Sequence, residues 1–190
     1  MYKKLRRLSE IIICLIILLI LIPLILIISI AIKIETDGPI IFFSKRTGID
    51  DKIFLMPKFR TMFNKTKISE SNKIKNPEKK ITKVGKILRK YSLDEIPQFL
   101  TVIQGKMSIV GPRPALLQQK ELIKKRKKLG INRLKPGITG YAQINGRDKI
   151  SLNKKIELDN IYLKNKNLLL DIKIFFKTFT VVLNHKGILH

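Results

Sequence analysis

Asp94 and Glu95 stand side by side in the segment Arg89-Lys90-Tyr91-Ser92-Leu93-Asp94-Glu95-Ile96-Pro97-Gln98, an acidic pair in a chain that carries 39 Lys plus Arg against 14 Asp plus Glu. Both histidines, His185 and His190, fall in the last six residues, so an acid, base or nucleophile has to come mainly from the carboxylates. A fixed carboxylate among cations is suited to attack on phosphorus. Ser92 and Glu95 also match a capping box, although Pro97 would then fall inside the first turns. The two readings are compatible, because a helix N-terminus favours the charged form of a nearby carboxylate.

Three further segments carry residue types suited to phosphate. Lys58-Phe59-Arg60-Thr61-Met62 places two cations after an apolar run, and alone it equally describes an edge of basic surface. In Gly111-Pro112-Arg113-Pro114 two prolines restrict the backbone on either side of one arginine and can fix its guanidinium for bidentate contact with phosphate; an ordinary turn has the same composition. Lys135 to Arg147 contains the turn dipeptides Pro136-Gly137 and Asn145-Gly146, which predict a tight loop and a hairpin delivering Arg147. Together these segments surround one carboxylate pair with Lys58, Arg60, Arg89, Arg113 and Arg147, provided that the fold brings them to one place.

The elements that must position them start with an anchor. Ile11 to Ile32 is 22 residues without a charge, roughly 33 Å of helix at about 1.5 Å per residue, the thickness of a bilayer's hydrocarbon core. The stretch is too long for a signal peptide and no small-residue cleavage site follows it. Pro23 lies near its centre, where it removes a backbone donor and clashes with the carbonyl of residue 19. Lys3, Lys4, Arg6 and Arg7 precede the stretch and Lys33, Lys45 and Arg46 follow it, so both flanks carry the cytoplasmic charge signature. The expectation is a re-entrant hairpin in one leaflet, with a turn at Pro23; a kinked span is the alternative.

Beyond the anchor, Ile40–Phe43 and Ile53–Met56 read as two short strands of a hairpin, and Asn64 to Lys80 as a polar, lysine-rich loop. Leu116–Leu129 and Leu168–Leu183 read as helices; the second is strongly apolar and suits either the membrane interface or the core. The expected fold is α+β and predominantly helical, with residues 1–35 as membrane anchor, 36–184 as catalytic domain and 185–190 as tail.

The net charge of +25 attracts anionic lipid, nucleotide phosphate or nucleic acid alike. A membrane-tethered nucleic-acid-binding protein rests on that charge alone, since no nucleic-acid module is recognisable and only 7% of residues are aromatic; an inactive scaffold is the other alternative. The single cysteine, Cys14, lies within the apolar segment and offers neither a disulfide framework nor a thiolate metal cluster, which fits a reducing cytoplasmic setting.

Taken in order, Gly38-Pro39 with Phe42 to Gly48, Lys58 to Met62, Ser92 to Glu95, Gly105 to Pro114, Lys135 to Arg147 and Glu157 to Tyr162 resemble the bacterial sugar transferases, specifically the small monotopic polyprenyl-phosphate phosphoglycosyl transferases. The resemblance implies a re-entrant membrane helix and a compact helical domain with a small β element and interfacial helices. It implies that Asp94 attacks the β-phosphate of a UDP-sugar, releases UMP and holds a phosphosugar that polyprenyl phosphate then takes up. Magnesium is the implied cofactor, with Asp94 a contact and Glu95 completing the dyad as base or in positioning the metal. Arg89 matches the position linked to the lipid phosphate, Arg113 with Pro112 and Pro114 the element that binds donor phosphate or nucleotide, Arg147 an anion contact, and Asp159 an acidic position. The stretch Asn145 to Asn165 resembles members that use N-acetylated amino sugars, such as a UDP-diacetamido-trideoxyhexose. Ile22 replaces the serine usual before Pro23, Tyr141 a tryptophan and Pro57 a tyrosine.

Overall fold

The structure, a computed structural model, describes residues 2–63, 80–146 and 149–183. Helix α1 (Tyr2–Glu35) holds the apolar stretch. It is long and apolar enough to cross a membrane, and only 11% of its most apolar window is buried. Leu19, Ile20 and Ile27, each more than 60% exposed, therefore have no protein to cover them and require an apolar solvent. Pro23 lies inside α1, and the helix continues through it in place of the turn expected there.

Both ends of α1 are bonded to the rest of the protein. At its start the Arg7 guanidinium donates to the carbonyls of Val102 and Ile103, each at 2.6 Å, and Arg6 donates to the Val110 carbonyl at 3.0 Å and pairs with Asp171 at 3.2 Å. At its end the Glu35 carboxylate accepts from the backbone N–H groups of Lys83 and Val84, at 2.6 and 2.9 Å. Those are the first two residues of α2 (Lys83–Lys90), so Glu35 satisfies two donors that a helix N-terminus leaves without partners.

Strands β1 (Ile41–Thr47) and β2 (Ile53–Phe59) form an antiparallel hairpin with Phe42 opposite Lys58, Ser44 opposite Met56 and Arg46 opposite Phe54. Both strands are longer than the apolar runs that signalled them, because the pairing continues through the polar residues Ser44, Lys45 and Arg46. Alternation puts Ser44, Arg46, Met56 and Lys58 on one face, which turns toward the protein, while Phe43, Ile53 and Leu55 on the other face are exposed.

The capping signal lies elsewhere than expected. Ser92 adopts a left-handed backbone (φ 56°) without a capping hydrogen bond from its side chain, and Asp94 and Glu95 occupy a short 3-10 turn, Leu93–Glu95. The capping residue of this region is Thr82, whose Oγ1 accepts from the Gly85 N–H at 2.8 Å to start α2. Helix α3 (Gln98–Ile103) follows directly after Pro97.

A second sheet pairs β3 (Ser108–Val110) in parallel with β4 (Gly137–Thr139). The hairpin expected between Lys135 and Arg147 is not formed among the described residues: Gly137–Thr139 joins β3, and Tyr141–Ile144 is a short helix, α5. At this crossing a Cβ on Gly111 would lie 2.3 Å from the Lys135 carbonyl oxygen, and one on Gly137 would lie 2.1 Å from the Gly111 nitrogen. Only glycine fits at either position.

Helix α4 (Lys120–Lys128) is shorter than the predicted Leu116–Leu129, and α6 (Leu152–Asn165) follows it. Helix α7 (Leu168–Leu183) has the bounds read from the sequence. It buries Ile174 completely and exposes Leu169, Phe176 and Phe179, so one side packs in the core and the other remains apolar and uncovered. The main core gathers Cys14 of α1 with Met56, Val102, Val110, Tyr162 and Ile174; a second joins Ile28 and Ile32 of α1 to Phe59, Leu88 and Ile96. The first core meets α1 before Pro23, at Cys14, whereas the second packs α1 residues on both sides of it, from Leu18 to Ile32. Residues 64–79 of the expected loop and the tail 185–190 lie outside the described residues.

Candidate functional site

The inner face of the hairpin brings Lys58 to the acidic pair. Its ammonium donates to Asp94 Oδ2 at 3.2 Å and to Glu95 Oε1 at 2.7 Å. The Arg113 guanidinium also donates to both oxygens of Glu95, at 2.5 and 3.2 Å, the forked geometry that distinguishes arginine from lysine. Burial acts to raise the Glu95 proton affinity, and the charges of Arg113 and Lys58 overcome it, holding this carboxyl well below the usual range. Glu95 is thus a fixed anion with its lone pairs engaged, while Asp94, 7% exposed, receives one contact from Lys58.

Arg89, at the end of α2, donates from Nε to Thr61 Oγ1 at 2.9 Å. Burial lowers its pKa and the Asp94 charge opposes that shift, so the guanidinium lies within electrostatic reach of Asp94. Lys58, Arg89, Asp94, Glu95 and Arg113 therefore share one site. Arg60 does not join it. Its guanidinium is buried and donates to the carbonyls of Asp37 and Thr36 and to Thr36 Oγ1, at 2.6, 2.8 and 2.7 Å, which ties the end of β2 to the chain leaving α1. Arg147 lies outside the described residues.

The prolines act through their carbonyls as well as their rings. The Pro112 carbonyl accepts from the Gly137 N–H at 2.9 Å, and the Pro114 carbonyl accepts from Arg46 at 3.3 Å. Asp159, 1% exposed, lies outside the reacting cluster. It receives two hydrogen bonds from Arg126, at 2.6 and 3.0 Å, and the same guanidinium donates to the Arg113 carbonyl at 2.7 Å. Burial raises the Asp159 pKa, against the pull of Arg126.

Two site residues were not singled out from the sequence. Arg126 sits among Lys124, Lys125, Lys127 and Lys128 and reads as one more cation on a solvated face; Arg46 lies in the Phe42–Gly48 stretch that carried the resemblance, and strand alternation with Lys58 was the available signal.

Among the described residues no group of three or more His, Cys, Asp or Glu could hold a metal by itself. Magnesium is ordinarily held by one or two carboxylates together with substrate phosphates and water; Asp94 fits that requirement, whereas both Glu95 oxygens are engaged by Arg113 and Lys58.

The arrangement presents a carboxylate beside fixed cations, which can bind a diphosphate and direct an oxygen nucleophile at phosphorus. Comparison with known proteins identifies the family. The chain is 42% identical over 157 residues to an uncharacterized sugar transferase, EpsL, of Bacillus subtilis, a match covering 83% of this chain and 76% of that protein. It is 38% identical over 187 residues to the UDP-glucose:undecaprenyl-phosphate glucose-1-phosphate transferase of Escherichia coli, covering 92% of this chain and 39% of the relative. It is 34% identical over 164 residues to the UDP-N-acetylgalactosamine-undecaprenyl-phosphate N-acetylgalactosaminephosphotransferase of Aeromonas hydrophila, covering 84% and 39%. The chain thus spans about two fifths of the length of the latter two. The family model described as bacterial sugar transferase matches residues 1–185, and the chain belongs to that family.

Proposed function

We propose that this chain transfers a sugar 1-phosphate from a UDP-sugar to polyprenyl phosphate, forming polyprenyl diphosphate-sugar and UMP. The observation that carries the reading is the Asp94–Glu95 pair held between Lys58 and Arg113, in a family whose relatives are named for this reaction on undecaprenyl phosphate.

An Asp94 carboxylate oxygen attacks the β-phosphorus of the donor; the bond from that phosphorus to the bridging oxygen breaks, and UMP leaves with the electron pair. A phosphate oxygen of the lipid then attacks the same phosphorus, and the bond to Asp94 breaks, restoring the carboxylate. Lys58 and Arg113 are charged before substrate arrives, so they stabilise the developing charge without reorganising. Glu95, engaged by both cations, holds them in place beside Asp94. Arg89, at the end of α2 and within electrostatic reach of Asp94, receives the incoming lipid phosphate. Magnesium held at Asp94 would supply further charge neutralisation between carboxylate and diphosphate.

The relatives' names cover glucose and N-acetylgalactosamine; the resemblance over Asn145 to Asn165 inclines the donor here to an N-acetylated amino sugar.

The site works from the cytoplasmic face of a bacterial inner membrane, with α1 entering and leaving through one leaflet. Support for that topology comes from the bonds at both ends of α1 to the same body of protein, together with basic flanks on both sides. Pro23, which lacks the amide donor for the carbonyl of residue 19, supplies the position for the bend.

The test is nucleotide release by detergent- or nanodisc-purified protein with undecaprenyl phosphate, magnesium and a panel of UDP-sugars. UMP from the wild type and none from Asp94→Asn supports the reaction; UDP in place of UMP means glycosyl transfer and overturns it.

A further inference from the structure

The charged groups of the site follow one another in a definite order. Arg89 is influenced by Asp94; Asp94 and Glu95 share Lys58; Glu95 is forked by Arg113; and Arg113 lies beside Arg46. Arg46 projects from the same face of the hairpin as Lys58. It donates from Nε to Ser44 Oγ at 3.1 Å and from one terminal nitrogen to the Pro114 carbonyl at 3.3 Å.

Two neutral acceptors are a poor setting for a half-buried guanidinium. Burial first, and then repulsion by Arg113, lower its pKa from 12.5 to about 10, with the Glu95 charge acting the other way. Glu95 is already engaged by Arg113 and Lys58. Arg46, Lys58, Arg89 and Arg113 are thus gathered about Asp94 and Glu95, cations suited to the diphosphate of a nucleotide sugar. Past Arg46 the chain continues through Thr47 and Gly48, which border a shallow surface depression that Arg113 and Asn132 also line. The Thr47 N–H donates to the Ala115 carbonyl at 3.0 Å, fixing this end of the hairpin against the Pro112-Arg113-Pro114 loop.

We infer that Arg46, paired with Arg113, binds the non-reacting phosphate on the nucleotide side of the donor. This rests on the proposed reaction. It assigns a direction to the site, with the lipid phosphate at the Arg89 end, the reacting phosphorus at Asp94 and the leaving UMP at the Arg46 end. An anion between two like-charged guanidiniums removes their repulsion, so binding is coupled to the relief of an unfavourable contact already present.

The experiment compares Arg46→Ala and Arg46→Gln with wild type in the UMP-release assay, with UMP added as inhibitor and its dissociation constant measured by titration calorimetry in nanodiscs. Glutamine retains a donor for the Pro114 carbonyl without the charge, so it serves should alanine fail to fold. The expected result is a donor KM and a UMP dissociation constant raised together by about 10- to 100-fold, the scale of a lost charge-assisted hydrogen bond, with the KM for undecaprenyl phosphate unchanged. Wild-type UMP affinity in a folded variant overturns the inference, as does an equal loss toward both substrates, which would mean that Arg46 only braces the Pro114 loop. A wild-type protein that neither releases nor binds UMP overturns the proposed reaction and this inference with it.

Discussion

Arg126 and Asp159 form a buried ion pair at 2.6 Å, and the Arg126 guanidinium also donates to the carbonyl of Arg113 at 2.7 Å. Asp159 on α6 thereby reaches the phosphate-binding loop without touching substrate. Breaking a buried pair by removing one partner leaves an uncompensated charge and costs about 3–5 kcal/mol. Asp159→Ala is expected to lower stability by that order, read by denaturant unfolding. Arg126→Met, which leaves the Asp159 carboxylate buried without its partner, should cost a similar amount of stability and also raise the donor KM more than the lipid KM, because Arg113 loses the bond on its carbonyl. Equal effects on the two substrates would limit the pair to a structural role.

Lys58 serves both carboxylates, so its removal should be visible in pH as well as rate. Lys58→Met takes away one of the two charges that hold Glu95 low, and the acid limb of the kcat/KM profile is expected to move to higher pH, alongside a fall in kcat on the order of 10²-fold for a lost preorganised donor. A profile that keeps its wild-type acid limb would separate Lys58 from the protonation of Glu95.

The low Glu95 pKa also makes a stability prediction with a fixed sign. A carboxyl whose folded pKa lies below its unfolded value binds its proton more readily when unfolded, so it stabilises the fold above about pH 4.3 and loses that contribution as pH falls through the folded value. Wild-type stability is expected to decline on that acid side, and Glu95→Gln to flatten the decline while lowering stability at neutral pH. Parallel curves for the two proteins would show that Glu95 does not contribute to it.

Gly111 and Gly130 test whether close backbone approach assembles the site. Gly111→Ala drives a Cβ to 2.3 Å from the Lys135 carbonyl oxygen, whereas Gly130, with φ at +72°, has open space around it. Gly130→Ala is expected to cost about 1–2 kcal/mol from the left-handed backbone alone, and Gly111→Ala to exceed this and abolish UMP release, since the Pro112-Arg113-Pro114 loop cannot seat against β4. Similar unfolding midpoints for the two variants would refute the distinction.

The residues legible in the sequence were those whose chemistry is carried by local pattern. Asp94-Glu95 stands out as an acidic pair in a basic chain, Pro112 and Pro114 bracket Arg113, and the apolar spacing from Leu168 to Leu183 reproduces α7 to the residue. What local pattern could not supply were partners remote in sequence. Arg60 and Arg126 look interchangeable with their neighbours, and only the fold sends the first to Thr36 and Asp37 and the second to Asp159. Strands β3 and β4 are three residues each and pair in parallel across 26 intervening residues, too short to show a period. Ser92 carried a capping signature, but its positive φ directs Asp94 and Glu95 toward the hairpin, and the cap of α2 falls to Thr82.

Topology gives the last prediction. If α1 enters and leaves by one leaflet, its two basic flanks face the cytoplasm together. In a Cys14→Ser background, cysteines placed at Lys4 and at Lys45 should both resist a membrane-impermeant thiol reagent in intact cells and both react after the membrane is opened. A straight span would separate them, and the Lys4 position alone would then react in intact cells. Pro23→Leu restores the missing amide donor within an otherwise strongly apolar helix, removing the obstacle to a straight helix. That variant is expected to shift a fraction of molecules toward the spanning state. In those molecules Arg7 can no longer reach the carbonyls of Val102 and Ile103 while Glu35 still caps α2. Labelling at Lys4 and loss of UMP release should therefore rise together. A Pro23→Leu protein that stays protected and active would show that the bonds at the two ends, rather than the proline, set the topology.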